Sequence, residues 1–142
     1  MRFWDASAII PLLLQEPSSA ELMALLKDDA VMLVWWGTPV ECTSAIARRE
    51  REGALSLSSA AQALARLKRL AEGWEEILPE NTIRMTAQRL LRVHPLRAAD
   101  SLQLAAAVVV AEHQPGTLEF VCLDQRLSDA AEREGFPLPI RT

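Results

Sequence analysis

Cysteine, histidine and glycine are all scarce in this chain, and each scarcity excludes something. Cys42 and Cys122 are the only cysteines and form no CxxC or His-Cys pattern. Neither a disulfide framework nor a zinc site is expected, and a reducing cytosol suits both thiols. His94 and His113 stand alone, without ligand spacing, so neither reads as a general base. The five glycines make no GxGxxG or Walker loop, which disfavours a nucleotide-cofactor enzyme. No apolar run approaches the ~20 residues of a membrane span, and Asp5 interrupts the N-terminus too early for a signal peptide. A basic excess is missing as well. The net charge of −4 and pI near 5.2 argue against indiscriminate nucleic-acid binding, though not against a local basic strip. These features lead us to expect a soluble, cytoplasmic protein with no membrane partner.

Half of the 142 residues are hydrophobic and 24% are charged, enough for one domain over 1–142 with its own core. Arg2-Phe3-Trp4 reads as a short strand stopping at Asp5, followed by a helix from Ala6 to Gln15 that Pro11 should end or kink. Ser18 and Glu21 have capping-box spacing before a helix with Leu22, Leu25 and Leu26 inward. Val31 to Trp36 reads as a strand covered on both sides. Thr38, Pro39 and Glu41 read as N-cap, first helical residue and capping-box acid of a helix stopped by Gly53. Leu55 to Gly73 predicts a helix capped by Ser58 or Ser59, with Leu64, Leu67 and Leu70 inward, and 74–78 a weak strand. Asn81 to Val93 predicts a helix with Ile83, Ala87, Leu90 and Leu91 inward. The stretch after Leu96 is apolar all round and reads as a buried helix. Glu119 to Leu123 is a strand halted by Asp124, Gln125 to Glu134 its helix, and Pro137 to Ile140 a last edge strand.

Strands alternating with helices predict an α/β domain with a parallel, helix-covered sheet. Ligands of such sheets bind at the carboxyl ends of the strands. Asp5, Glu41, Asp100 and Asp124 each fall at the start of a helix, three of them just after a strand-like run. Singly they have plain explanations: a capping-box acid at Glu41, N-caps at Asp5 and Asp124, a first-turn acid at Asp100. Together they would repel one another unless a cation joined them. Hard oxygen ligands suit Mg²⁺ or Mn²⁺, and a carboxylate-held ion supports phosphodiester hydrolysis.

Four blocks carry a resemblance: Asp5 with Ser7; Pro39-Val40-Glu41; Leu96-Arg97-Ala98-Ala99-Asp100-Ser101-Leu102-Gln103-Leu104-Ala105; and Val121-Cys122-Leu123-Asp124-Gln125-Arg126-Leu127 with Ala130-Ala131 and Gly135. The chain resembles a PIN-domain ribonuclease of the VapC type, the toxin half of a type II toxin–antitoxin pair. The resemblance implies an α/β/α sandwich with strand order 3-2-1-4-5 and four to five strands. It implies a Mg²⁺- or Mn²⁺-dependent endoribonuclease that acts on RNA, is held by an antitoxin protein and forms a homodimer. Asp5, Glu41, Asp100 and Asp124 become the metal-binding and catalytic acids, with Ser7 and Arg97 supporting. One position departs: Cys122 stands where the family commonly has Thr or Ser. A thiol is a poor donor, which bears on how Asp124 is oriented.

Two other readings compete. A PIN-like module that binds a partner protein but turns over weakly would fit Glu41 as a mere cap and Cys122 in the fourth block. A receiver or phosphatase domain would want Asp-x-Asp after the first strand, and Asp5-Ala6-Ser7 does not supply it. The Arg48-Arg49-Glu50-Arg51-Glu52 and Arg66-Leu67-Lys68-Arg69 stretches read as solvated helix faces or, in a second reading, carry arginines that grip RNA phosphates. Of Trp35 and Trp36, one should be core and the other near a surface groove.

Overall fold

The strands are three or four residues long, and successive side chains enter opposite helical layers. This is what a period of two gives when both faces of a sheet are covered. In the computed structural model, which describes residues 1–141, β1 (Arg2–Trp4) lies between β2 (Met32–Trp35) and β4 (Glu119–Val121), with β3 (Glu75–Ile77) outside β2. All pairs are parallel, in the order β3-β2-β1-β4. Phe3, Leu33, Trp35 and Phe120 pack with α5 (Asn81–Val93), α6 (Ala98–Val110) and α7 (Gln125–Arg133). Trp4, Met32, Val34 and Val121 pack with α1 (Ala6–Leu13), α2 (Ser19–Asp28), α3 (Thr38–Arg51) and α4 (Leu57–Gly73). Phe3 and Phe120 stack across the β1/β4 pair with ring centroids 5.2 Å apart.

Charge closes the layers at their edges. Arg2 is buried, and its guanidinium donates to Asp28 of α2 at 2.8 Å, to Glu119 of β4 at 3.2 Å and to the Leu25 carbonyl at 3.1 Å. The start of β1 is thereby tied to both neighbours. At the opposite edge Glu75 and Glu76 of β3 are exposed, charges that discourage further strand addition.

Several expectations are corrected. No fifth strand forms among the described residues. Phe120 N–H donates to the Pro137 carbonyl at 2.9 Å, but Pro137 and Pro139 have no N–H to extend a ladder, so 137–140 continues as coil. β4 ends at Val121, so Cys122 and Leu123 intervene before Asp124. Ser18 makes no side-chain cap; Ser19 Oγ instead accepts from Glu16 N–H and donates to the Leu14 carbonyl. Ser56, rather than Ser58 or Ser59, caps α4 by accepting from Ser59 N–H. Leu64 and Leu91 face outward, leaving Ala60, Ala63 and Leu67 on the inner face of α4 and Ile83, Ala87 and Leu90 on that of α5. Trp35 is core and Trp36, one residue past the end of β2, is exposed.

Candidate active site: an acidic cleft at the carboxyl edge of the sheet

Each parallel strand delivers its chain to the same edge, and the acids follow from there. Asp5 comes directly after β1 and caps α1. All three of its side-chain hydrogen bonds fall on Oδ2, which accepts from Ser7 N–H (3.1 Å), from Ser7 Oγ (2.6 Å) and from Cys122 Sγ (3.6 Å). Oδ1 is left without a donor. Ser7 Oγ in turn accepts from Leu123 N–H at 2.9 Å, joining the first turn of α1 to the loop after β4. Ser7 is therefore the residue that aims Asp5.

Glu41 lies on α3, but no capping box exists there. The N-cap is Gly37, without a side-chain bond, and Thr38 is wholly buried. Gln103, buried on α6, donates through Nε2 to Thr38 Oγ1 at 2.8 Å and to Glu41 Oε1 at 3.1 Å. Its Oε1 has no partner. The structural explanation of Glu41 as a capping acid is thus overturned, because the side chain turns toward α6. Asp100 stands in the first turn of α6, and Asp124 caps α7 by accepting from Leu127 N–H at 2.9 Å.

Glu41, Asp100 and Asp124 line one cleft of about 580 Å³, whose wall also carries Ser44, Arg48, Arg97 and Arg126. Asp5, only 3% exposed, is not among the residues that line it. Electrostatics joins it to the others. Burial and the charge of Asp5 push Glu41 up to about 7, against the pull of the Gln103 amide, and Asp100 adds to the rise. Burial raises Asp5, Ser7 opposes the rise, and Asp100 raises it further. Burial and the charge of Asp124 raise Asp100, while the Arg97 backbone and the guanidinium groups of Arg97 and Arg126 hold it back. All four sequence-predicted acids therefore belong to one linked group.

Cys122 acts elsewhere than its sequence position suggests. Its thiol, pushed up by burial, contacts Asp5 and Ser7, and reaches Asp124 only at the backbone carbonyl, 3.5 Å away. The exchange of hydroxyl for thiol bears on Asp5 more than on the Asp124 carboxylate. Gln103 and Thr38 were missed as site residues. A polar amide between Leu102 and Leu104 in an otherwise apolar helix was the signal, since a buried amide requires a partner.

Among the described residues no group of three or more His, Cys, Asp or Glu side chains forms a ready-made metal centre. The donor set nonetheless fits a hard divalent cation. Mg²⁺ is commonly held by one or two carboxylates and keeps several waters, so it needs no all-protein cage. A cation would also relieve the repulsion that adds to burial in raising three of these acids.

No protein-family model matches the chain, and no curated protein matches it in sequence. Among solved structures it is similar to the crystal structure of FitAcB from Neisseria gonorrhoeae, 16% identical with a TM-score of 0.65 over 97% of this chain and 96% of that one. The likeness thus runs nearly the full length of both chains. Its four-stranded parallel sheet, helices on both faces and strand order give this chain the PIN-like α/β/α sandwich fold.

Proposed function

We propose that this chain is a Mg²⁺- or Mn²⁺-dependent endoribonuclease of the PIN type, acting in the cytoplasm as the toxin of a toxin–antitoxin pair. The observation that carries the reading is the meeting of Asp5, Glu41, Asp100 and Asp124, from four separate segments, in one electrostatically linked group at the carboxyl edge of the sheet. A bound Mg²⁺ or Mn²⁺ would supply an activated water and neutralise charge on the phosphodiester. The four carboxylates would hold it. Ser7 fixes the rotamer of Asp5 from two directions, leaving Oδ1 available, and Gln103 keeps Glu41 turned to the cleft. The same opening is where an antitoxin protein would block access.

Cleavage of an end-labelled RNA in Mg²⁺, compared with EDTA, tests the proposal. Asp100→Asn and Asp5→Asn should each lower cleavage more than about a hundredfold with the fold retained by circular dichroism. Full activity in both variants, or in chelator, would discard it. A second reading, a PIN-like module that binds a partner protein and turns over weakly, draws on Glu41. With a proton affinity of about 7, it is a half-ionised ligand near neutrality until a cation arrives.

A further inference from the structure

The acids alone do not explain how a polyanion would approach them. Three guanidinium groups share the same cleft, each from a different segment: Arg48 from α3, Arg97 from the N-cap of α6, and Arg126 from the first turn of α7. All three are exposed. Elsewhere in the chain Arg2, Arg49, Arg66, Arg84, Arg89 and Arg141 donate hydrogen bonds to protein groups. Among the described residues the guanidinium groups of Arg48, Arg97 and Arg126 make neither a hydrogen bond nor an ion pair, as is also true of Arg51, Arg69, Arg92 and Arg133; what sets the three apart is that they share the acidic cleft. If their role were to neutralise the acids, they would sit against them. Instead the guanidinium groups of Arg97 and Arg126 act on Asp100 only through space, without an ion pair, while the Arg97 backbone hydrogen-bonds it. Arg48 also borders a second hollow, lined by Ser7, Glu16 and Arg49 among others.

We propose that Arg48, Arg97 and Arg126 form a phosphate-gripping rim that holds the backbone of a single-stranded RNA across the acidic cleft. The proposal rests on the nuclease reading for its substrate, but binding can be measured apart from cleavage. A guanidinium presents a planar fork that matches two phosphate oxygens, and it stays charged throughout the physiological range. Three such groups, in a chain of net charge −4, set cationic partners for phosphates beside the acids of the same cleft. Recognition of this kind is indifferent to base sequence.

The test is fluorescence anisotropy of a labelled single-stranded RNA in Mg²⁺, with every variant built on Asp100→Asn so that cleavage does not intrude. Arg48→Ala, Arg97→Ala and Arg126→Ala should each weaken binding several-fold. Each should also flatten the dependence of log affinity on log salt by about 0.7 between roughly 50 and 200 mM, the share of one released counterion on a single strand. Arg92→Ala, an exposed arginine of α5 outside the cleft, should change neither. Undiminished binding in the three rim variants, an equal loss in Arg92→Ala, or no RNA binding at all would overturn the rim. So would displacement of the RNA by polyglutamate at equal charge, which would mark a general anion surface. Rim variants that bind normally while the parent protein cleaves RNA would sink the rim alone; RNA held by the rim with no cleavage in the parent would sink the nuclease reading alone.

Discussion

Charge held against its own preference dominates the site at the residue scale. Glu41 binds a proton more tightly when folded, near 7, than at its ordinary 4.5, chiefly because it is buried and faces Asp5. A carboxyl raised in this way contributes its full stability below pH 4.5 and loses it as the pH climbs through 7. Glu41→Gln removes the ionised form while keeping an oxygen for the Gln103 amide. Without metal, the variant should be more stable than the parent at pH 8 by on the order of 1 kcal/mol, a value discounted for the partial exposure of the group. At pH 4 the difference should vanish. Urea unfolding at the two pH values measures this, and a variant less stable at pH 8 would show that the acid is not under electrostatic load. Local sequence could not reveal that load. Thr38, Pro39 and Glu41 have the spacing of a capping box, yet Thr38 Oγ1 accepts from Gln103 instead of closing its own helix. Short-range pattern and long-range contact compete for the same side chain, and only the first is visible in a string of letters.

Gln103 is the principal polar link between two elements. Carried on α6, which packs on one face of the sheet, it reaches α3 from the other face, and its amide meets Thr38 and Glu41 over the carboxyl edge. Gln103→Leu keeps the volume and removes the donor. Stability should fall by about 1–2 kcal/mol. The Mg²⁺ concentration for half-maximal cleavage should rise about 10- to 100-fold, with activity recovering at high Mg²⁺, because Glu41 loses its aim and not its charge. An unchanged metal requirement would reduce Gln103 to a packing residue. The alternation of strand and helix was legible from periodicity, since Phe3, Leu33 and Phe120 on one face and Trp4, Val34 and Val121 on the other are all apolar. Helix caps were less so: Ser18 has the right spacing and makes no cap, while Ser56 makes one. The edge strand expected at 137–140 failed for a reason present in the sequence, two prolines that cannot donate to a ladder.

The whole molecule is a device for bringing distant acids together. Parallel strands bring the chain to one edge before Asp5, Glu41 and Asp124, because every crossover returns it there, and Asp100 joins them from the first turn of α6, which follows α5. The four acids were legible because each marks the entry to a helix. Of the proposed rim, the sequence marks Arg48 as a phosphate grip in its second reading and Arg97 as a supporting residue, whereas nothing local separates Arg126 from any other surface arginine. A divalent cation joining the acids must stabilise the fold only where they are ionised. Mn²⁺ at about a hundred times its dissociation constant should raise the thermal midpoint by about 5–10 °C at pH 8, with the effect fading toward pH 4.5. An equal shift at both pH values would indicate binding elsewhere.

The central claim is that Asp5, Glu41, Asp100 and Asp124 share a cation. Crystals soaked in manganese and measured at its absorption edge test it most directly. The account predicts an anomalous peak in the cleft, held by at least two of these carboxylates and lost in Asp100→Asn. A protein saturated with Mn²⁺ in solution whose only peaks lie outside the cleft would contradict it.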